Sequence, residues 1–445
     1  MRLTIAILLQ IILYSAKAQI VPDIVEITLP KPASLNSVVD IPNPSLSVIP
    51  SGIYQPQQSV HQRNLAIIEN DMKEYAERKD HQRRMMEEID RQFSATITYT
   101  LGNHRKPGVE RFQQAYEYIR SMLADQAPVD FLRAIYAVES AFDQSLTWDG
   151  FETMFNNSLR HIELLLENEG KVKNDNLTKI MTIYRYMSDT SKIYMPETEG
   201  EVITKPMLYD FEDYAGENDP SKIFVSKLLR TGSGQCMSLP MLFFLYSQAI
   251  GAEAHLAFAP QHSYIKFKDN FGNWNNIELT GRIFTTDDFL WQSNFLKAEQ
   301  VRSGIYLRPL SHKETLAYML TTLGLTYIKT FGVDDRALEI SNTALKYFPN
   351  SLTGHMIQVG YYKALWSHVE SQYQKSQKTQ EQFQADKKAG YVWDQRIGSV
   401  DHIKKNLGWS KMPDAAYEAW LEGVNELANQ RQHQVRKREL EQQIR

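Results

Sequence analysis

Leu228-Leu229-Arg230-Thr231-Gly232-Ser233-Gly234-Gln235-Cys236-Met237-Ser238-Leu239-Pro240 holds the only cysteine of the chain. Two glycines just before it mark a sharp turn. After it, Leu239, Leu242, Phe243, Tyr246 and Ile250 share a helix face, and Gly251 is a natural stop. Pro240 fits the first turn, the one place in a helix that tolerates proline. The spacing therefore predicts Cys236 at a helix N-terminus. Unpaired N–H groups and the helix dipole there favour an anion, the condition under which a thiol becomes a reactive thiolate. The same N–H groups, with Gly234 and Gln235 at the turn, are the candidate oxyanion site. A lone cysteine forms no internal disulfide, so it is either a buried small residue or a thiol kept for its chemistry.

Downstream, Glu253 to Ala259 alternates as a strand does, and Pro260-Gln261 interrupts it. A second strand is predicted over His262–Lys268, a turn over Asp269-Asn270-Phe271-Gly272-Asn273, and a third strand over Trp274–Thr280. Pairing Phe267 with Asn273 sets His262 directly across from Glu278, at a Cβ separation of about 5 Å. Asn276 lies on the same face, two residues nearer the turn, and a slip of one residue would carry both away from His262. Nucleophile, base and orienter are thus Cys236, His262 and Glu278, with Asn276 the alternative third member. His255 is a rival base in a less favourable register.

Taken together, Gly234-Gln235-Cys236-Met237-Ser238-Leu239-Pro240, Ala259-Pro260-Gln261-His262-Ser263-Tyr264-Ile265 and Trp274-Asn275-Asn276-Ile277-Glu278-Leu279-Thr280 resemble the transglutaminase-like superfamily. More closely, they resemble bacterial transglutaminase-like proteins with tetratricopeptide repeats behind the catalytic core. The superfamily usually shows Trp, three residues, then Asp, often followed by Pro and Thr. Here Glu278 stands at the Asp position and Leu279 at the Pro position. Asn276 would be the substitute by analogy with papain-like enzymes, in which Asn orients the His. The resemblance covers residues 200–310 and, loosely, the helices behind them. It implies cysteine protease-like hydrolase or acyl-transfer chemistry on a peptide or protein substrate.

Outward from this core the chain reads in segments. Arg2 and the apolar run Leu3–Leu13, followed by Ala16-Lys17-Ala18, predict a signal peptide over 1–18, too short for a comfortable membrane span. Residues 19–60 form a Pro-rich linker with Pro22, Pro30, Pro32, Pro42, Pro44, Pro50 and Pro56. A charged amphipathic helix follows over 61–95, with Leu65, Ile68, Met72, Tyr75, Met86, Ile89 and Phe93 on one seam that Lys79 and Gln82 interrupt. It is either a surface helix or a dimeric coiled coil, so the oligomeric state stays open. Residues 96–199 read as helical, with Phe112, Tyr116, Ile119 and Leu123 on one stripe and Asp130 as an N-cap. Residues 311–366 resemble a tetratricopeptide helix pair in Leu320, Gly324, Tyr327, Ala337, Ala344, Leu345 and Pro349, a candidate surface for a protein partner. Residues 367–445 read as a charged helical tail.

The 445 residues are 42% hydrophobic and 23% charged with a net charge of −4, which fits folded protein and gives no general pull toward nucleic acid. No later stretch is apolar enough to span a bilayer after signal cleavage, and the protein is expected to be exported, periplasmic or secreted. No cofactor is called for: His255, His262 and the acids lack zinc-ligand spacing, and no phosphate-binding Gly-rich loop is present. The expected fold is α+β: a helical N-terminal half, a transglutaminase-like (papain-like) antiparallel sheet packed on the Cys236 helix, and a C-terminal helical repeat-like region. The expected function is thiol-dependent acyl chemistry at an amide or peptide bond. The alternative is a non-catalytic scaffold of the cell envelope built on a degenerate core.

Overall fold

The computed structural model describes residues 99–410, except 169–174, 214–215, 295 and 377, together with the helical positions Lys73, Glu77, Lys79 and Asp80. The segments expected over 1–18 and 19–60, most of the helix over 61–95, and the tail beyond 410 lie outside the described residues. The chain divides before Tyr99, and the body from there onward carries the sheet and the cysteine.

The body opens with four helices, α1 (Val109–Leu123), α2 (Phe131–Phe142), α3 (Trp148–Asn168) and α4 (Asn176–Ser188). The α1 stripe Phe112, Tyr116, Ile119 and Leu123 is buried. Asp130 caps α2 by accepting the Arg133 N–H at 2.9 Å, and Asp175 caps α4 through the Thr178 N–H at 2.9 Å. Where the sequence reads as helix to residue 199, the structure turns into a hairpin of β1 (Ser191–Met195) and β2 (Gly200–Thr204). Tyr194 and Ile203 are exposed on its outer face, so apolar residues on both faces blur the period-2 signal.

A short parallel pair follows, β3 (Leu208–Tyr209) beside β4 (Ser233–Gly234), with α5 (Val225–Thr231) between them. Then comes α6 (Ser238–Ala249), buried at every position from Ser238 to Ser247. A helix apolar all round has no solvent face to offer. Accordingly α6 packs on β5 (His255–Ala259) and β6 (His262–Lys268) on one side and on α4 and α5 on the other. With β7 (Trp274–Glu278) and β8 (Ile283–Thr285) these strands form an antiparallel sheet in the order β5-β6-β7-β8. Leu256, Ile265, Phe267 and Ile277 belong to the main core with α6. Ala257, Ala259 and Tyr264 meet a second core with Leu290, Leu296, Ile305, Tyr306 and Leu307. Backbone bonds from Leu307 to Phe258 (2.9 Å) and from Leu310 to Leu256 (2.8 Å) cover the β5 edge.

The register of the central hairpin differs from the sequence expectation. Phe267 faces Asn275, not Asn273, and Ile265 faces Ile277. The reason lies in the turn: one Asp269 carboxylate oxygen accepts the N–H groups of Phe271 (2.9 Å) and Asn273 (2.8 Å), which widens the loop by two residues. A shift of two preserves the faces.

Beyond the sheet lie α7 (Asp287–Ser293), α8 (Ala298–Arg302), α9 (His312–Phe331), α10 (Asp335–Tyr347), α11 (Leu352–Lys375), α12 (Gln380–Gln384) and α13 (Lys387–Asp401). Gly324 of α9 lets Ile357 and Ile340 close in, since a Cβ there would stand 3.0 Å from Ile357 Cδ1. Ala337 and Ala344 are fully buried between these helices. At the coarse level the fold is α+β. Among the described residues no helix is long and apolar enough to cross a membrane.

Candidate active site

Cys236 sits between the end of β4 and the start of α6, where the sequence places it. The two glycines before it have different tasks. Gly232 ends α5 in the left-handed region (φ 67°), its N–H bonded to Leu228 O at 2.8 Å. Gly234 has no positive φ; it is needed for close approach. A Cβ there would lie 2.6 Å from Ser238 Oγ and 3.1 Å from Leu228 Cδ1.

The expected oxyanion role of Gln235 requires correction at its backbone. Its N–H donates to Ser238 Oγ at 3.0 Å and its carbonyl accepts the Leu239 N–H at 3.0 Å. Gly234 meanwhile uses its carbonyl to accept the Asp210 N–H at 2.8 Å. The N–H groups of Cys236, Met237 and Ser238 carry no acceptor among the described residues, as the first turn of a helix leaves them. These, rather than Gln235 N–H, are the donors open to an oxyanion. The Gln235 side chain is fully buried, with neither amide atom partnered among the described residues.

His262 is the first residue of β6, following the Pro260-Gln261 turn in which Gln261 has φ 55°. The Cys236 thiol and the His262 ring are coupled electrostatically. The Cys236 thiol also lies 3.6 Å from Gln261 O, which accepts from it. The next residue, Ser263, donates its hydroxyl to Cys236 O and so ties the histidine strand to the thiol turn. On the other side of the ring, His262 Nε2 meets Glu278 Oε1 at 3.1 Å. With Nε2 engaged by Glu278, Nδ1 is the remaining ring nitrogen, and it is buried.

Glu278 does not face His262 directly. The Ile265–Ile277 register, continued by one residue, sets it opposite Tyr264, one diagonal step from His262. The extra methylene of glutamate spans that diagonal. The carboxylate is further held by its own turn: Thr280 N–H donates to Oε1 at 2.7 Å, and Gly281 N–H donates to Oε2. A Cβ on Gly281 would overlap Oε2. Asn276, the alternative third member, stands opposite Lys266, further along the strand from His262. Its amide nitrogen donates to Asp287 Oδ1 at 2.8 Å, beside the ion pair of buried Lys266 with half-exposed Asp287. His255 is also occupied, with Nδ1 3.0 Å from Leu310 O and Nε2 3.3 Å from Glu253.

Electrostatics bind the three groups. Burial disfavours the imidazolium, but hydrogen bonds and charge from Cys236 and Glu278 outweigh it and push His262 up to about 10. Burial would raise Glu278 as well. The hydrogen bond and charge of His262, with the N–H groups of Gly281 and Thr280, prevail and hold its carboxyl below the ordinary value. A protonated imidazole between a carboxylate and a sulfur can orient a thiolate and deliver a proton to a leaving group. The site is closed: Cys236 is 5% exposed and His262 8%. Among the described residues no three His, Cys, Asp or Glu side chains gather as a metal site.

Ser263, Thr280 and Gly281, which hold the three members in place, carry no motif of their own. The Thr-Gly pair after the third strand is the single sequence signal that a turn rather than more strand follows Glu278.

What the coordinates define is an α+β body with a cysteine–histidine–glutamate cluster at a helix start. No protein-family model and no curated protein matches the chain. Among solved structures, the crystal structure of menin that "reveals the binding site for Mixed Lineage Leukemia (MLL) protein" matches 70% of this chain and 77% of that one, at 13% identity and a TM-score of 0.29. A likeness that loose carries no argument about this chain.

Proposed function

We propose that the protein is a thiol-dependent acyl enzyme of transglutaminase-like type, acting at an amide or peptide bond. The observation that carries this reading is one buried imidazole, 3.1 Å from the Glu278 carboxylate and coupled electrostatically to the Cys236 thiol. Cys236 Sγ attacks the carbonyl carbon, and the N–H groups of Cys236 and Met237 receive the oxyanion. His262 gives its proton to the departing amine as the C–N bond breaks and a thioester forms. Water or an amine then attacks the thioester while His262 takes a proton from it. The C–S bond breaks, and the thiolate–imidazolium pair returns. Glu278 holds the ring throughout. Water as the second nucleophile gives hydrolysis, an amine gives transfer. The 5% exposure of Cys236 asks for a substrate chain thin enough to reach the sulfur. Export to the periplasm or medium is part of the same proposal and rests on Leu3–Leu13 and Ala16-Lys17-Ala18.

The test is alkylation. Wild-type Cys236 should react with iodoacetamide well below pH 8, and His262→Ala should remove that advantage, a loss of about 10²–10³-fold at pH 6. The same 5% exposure favours a second reading, a non-catalytic platform in the cell envelope with helices α9–α11 as its binding surface. Reaction only at ordinary thiol pH, unchanged in His262→Ala, selects that platform.

A further inference from the structure

The histidine strand and the acid turn are tied to the thiol turn by different devices. Ser263 ties the strand directly, through Cys236 O. The acid turn is reached by another route, which begins at Arg282. This residue follows Gly281, whose N–H holds Glu278 Oε2, and it adopts φ 51°. Few non-glycine residues take that conformation unless their surroundings fix it. Here three bonds fix it. The guanidinium donates to Ser188 O at 3.2 Å and to Met207 O at 2.5 Å, and the Tyr184 hydroxyl donates to Arg282 O at 2.5 Å. Ser188 is the end of α4. Met207 immediately precedes β3, whose Leu208 N–H bonds Gly232 O at 2.8 Å and whose neighbour Asp210 bonds Gly234 O at 2.8 Å. One side chain thus joins the turn that carries the acid to the strand that flanks Gly232–Gly234, two residues before the thiol.

We propose that Arg282 is a positioning residue of this site: its planar fork bridges Ser188 O and Met207 O, holds the Glu278–Arg282 turn in its left-handed bend, and so sets the Glu278–His262 contact. The role rests on the acyl-enzyme reading for its chemical consequence, though not for its geometry. Without the fork, the backbone at residue 282 is free to leave φ 51°, Gly281 N–H turns from Glu278, and the ring loses a fixed partner. Lysine offers a point charge rather than two divergent donors and cannot serve both carbonyls in the same way.

Arg282→Gly removes the fork while leaving a positive φ unstrained, so it separates anchoring from backbone strain. Two readouts are compared in wild type, Arg282→Gly and Arg282→Lys: the pH profile of Cys236 alkylation, and the pH at which the His262 ring loses its proton, followed by NMR. In Arg282→Gly the His262 titration should move down, and alkylation at pH 6.5 should fall roughly tenfold, the scale of one charge-assisted hydrogen bond. Millimolar guanidinium should restore part of both, and Arg282→Lys should fall between. A His262 titration and an alkylation profile unchanged in Arg282→Gly overturn the positioning role. A wild-type thiol without low-pH reactivity defeats the acyl-enzyme reading instead, and the His262 titration alone then decides on Arg282.

Discussion

The two turns that meet at His262 are alike in outline and opposite in how they use their N–H groups. The thiol turn, Gly232–Cys236, has a left-handed glycine and a second glycine crowded by Ser238 and Leu228. The acid turn, Glu278–Arg282, has a glycine crowded by Glu278 and a left-handed arginine. In the thiol turn the N–H groups of Cys236 and Met237 stay open to a ligand. In the acid turn the N–H groups of Thr280 and Gly281 are consumed by the protein's own carboxylate. An anion from outside suits the first, and a resident anion completes the second. On the proposed acyl-enzyme reading, the contrast gives electrophile stabilisation to one side of the imidazole and orientation to the other.

Paired glycine substitutions break the comparison most sharply. Gly234→Ala sets a methyl against Ser238 Oγ at 2.6 Å and Leu228 Cδ1 at 3.1 Å, in a packed region, and should lower stability by about 1–3 kcal/mol. Gly281→Ala clashes with the end of the Glu278 side chain, which can yield, and meets Ile283 Cγ1 at an ordinary 3.4 Å. It should lower stability by under about 1 kcal/mol yet reduce Cys236 alkylation at pH 6.5 by about tenfold. Urea unfolding and alkylation rates on the same samples read both, and equal stability losses would contradict the distinction.

A smaller effect sharpens the acid side. His262 binds its proton more tightly in the folded chain, so its contribution to stability is full below about 6.5 and is lost as pH rises toward about 10. Glu278 binds its proton less tightly when folded, so its contribution is present above about 4.5 and is lost as pH falls. Unfolding free energy should therefore drop between pH 6.5 and pH 10. Glu278→Gln should flatten that drop, and an equal slope in the variant would show the pair is not the source.

Much of this was legible in the residues, unevenly. Cys236 at a helix start follows from Gly232, Gly234, Pro240 and the apolar face after them, all of them local signals. His262 and Glu278 on one sheet face follow from a period of two, which survives the two-residue register shift. The shift itself was not legible, because it comes from the Asp269 side chain capturing two backbone N–H groups. The β1–β2 hairpin was hidden by Tyr194 and Ile203 on its solvent face. Ser263 and Arg282 act through contacts between segments distant in the chain, and no spacing encodes those. Asn276 is eligible by face alone, and only the position of Asp287 shows where its amide nitrogen goes.

The most direct test of the central claim is the titration of the His262 ring in the folded wild-type protein, followed by NMR and assigned by the signal missing in His262→Gln. The ring should stay protonated through neutral pH and lose its proton near pH 10. A ring that becomes neutral near pH 6.5, as an unpartnered histidine does, would contradict the thiol–imidazole–carboxylate site.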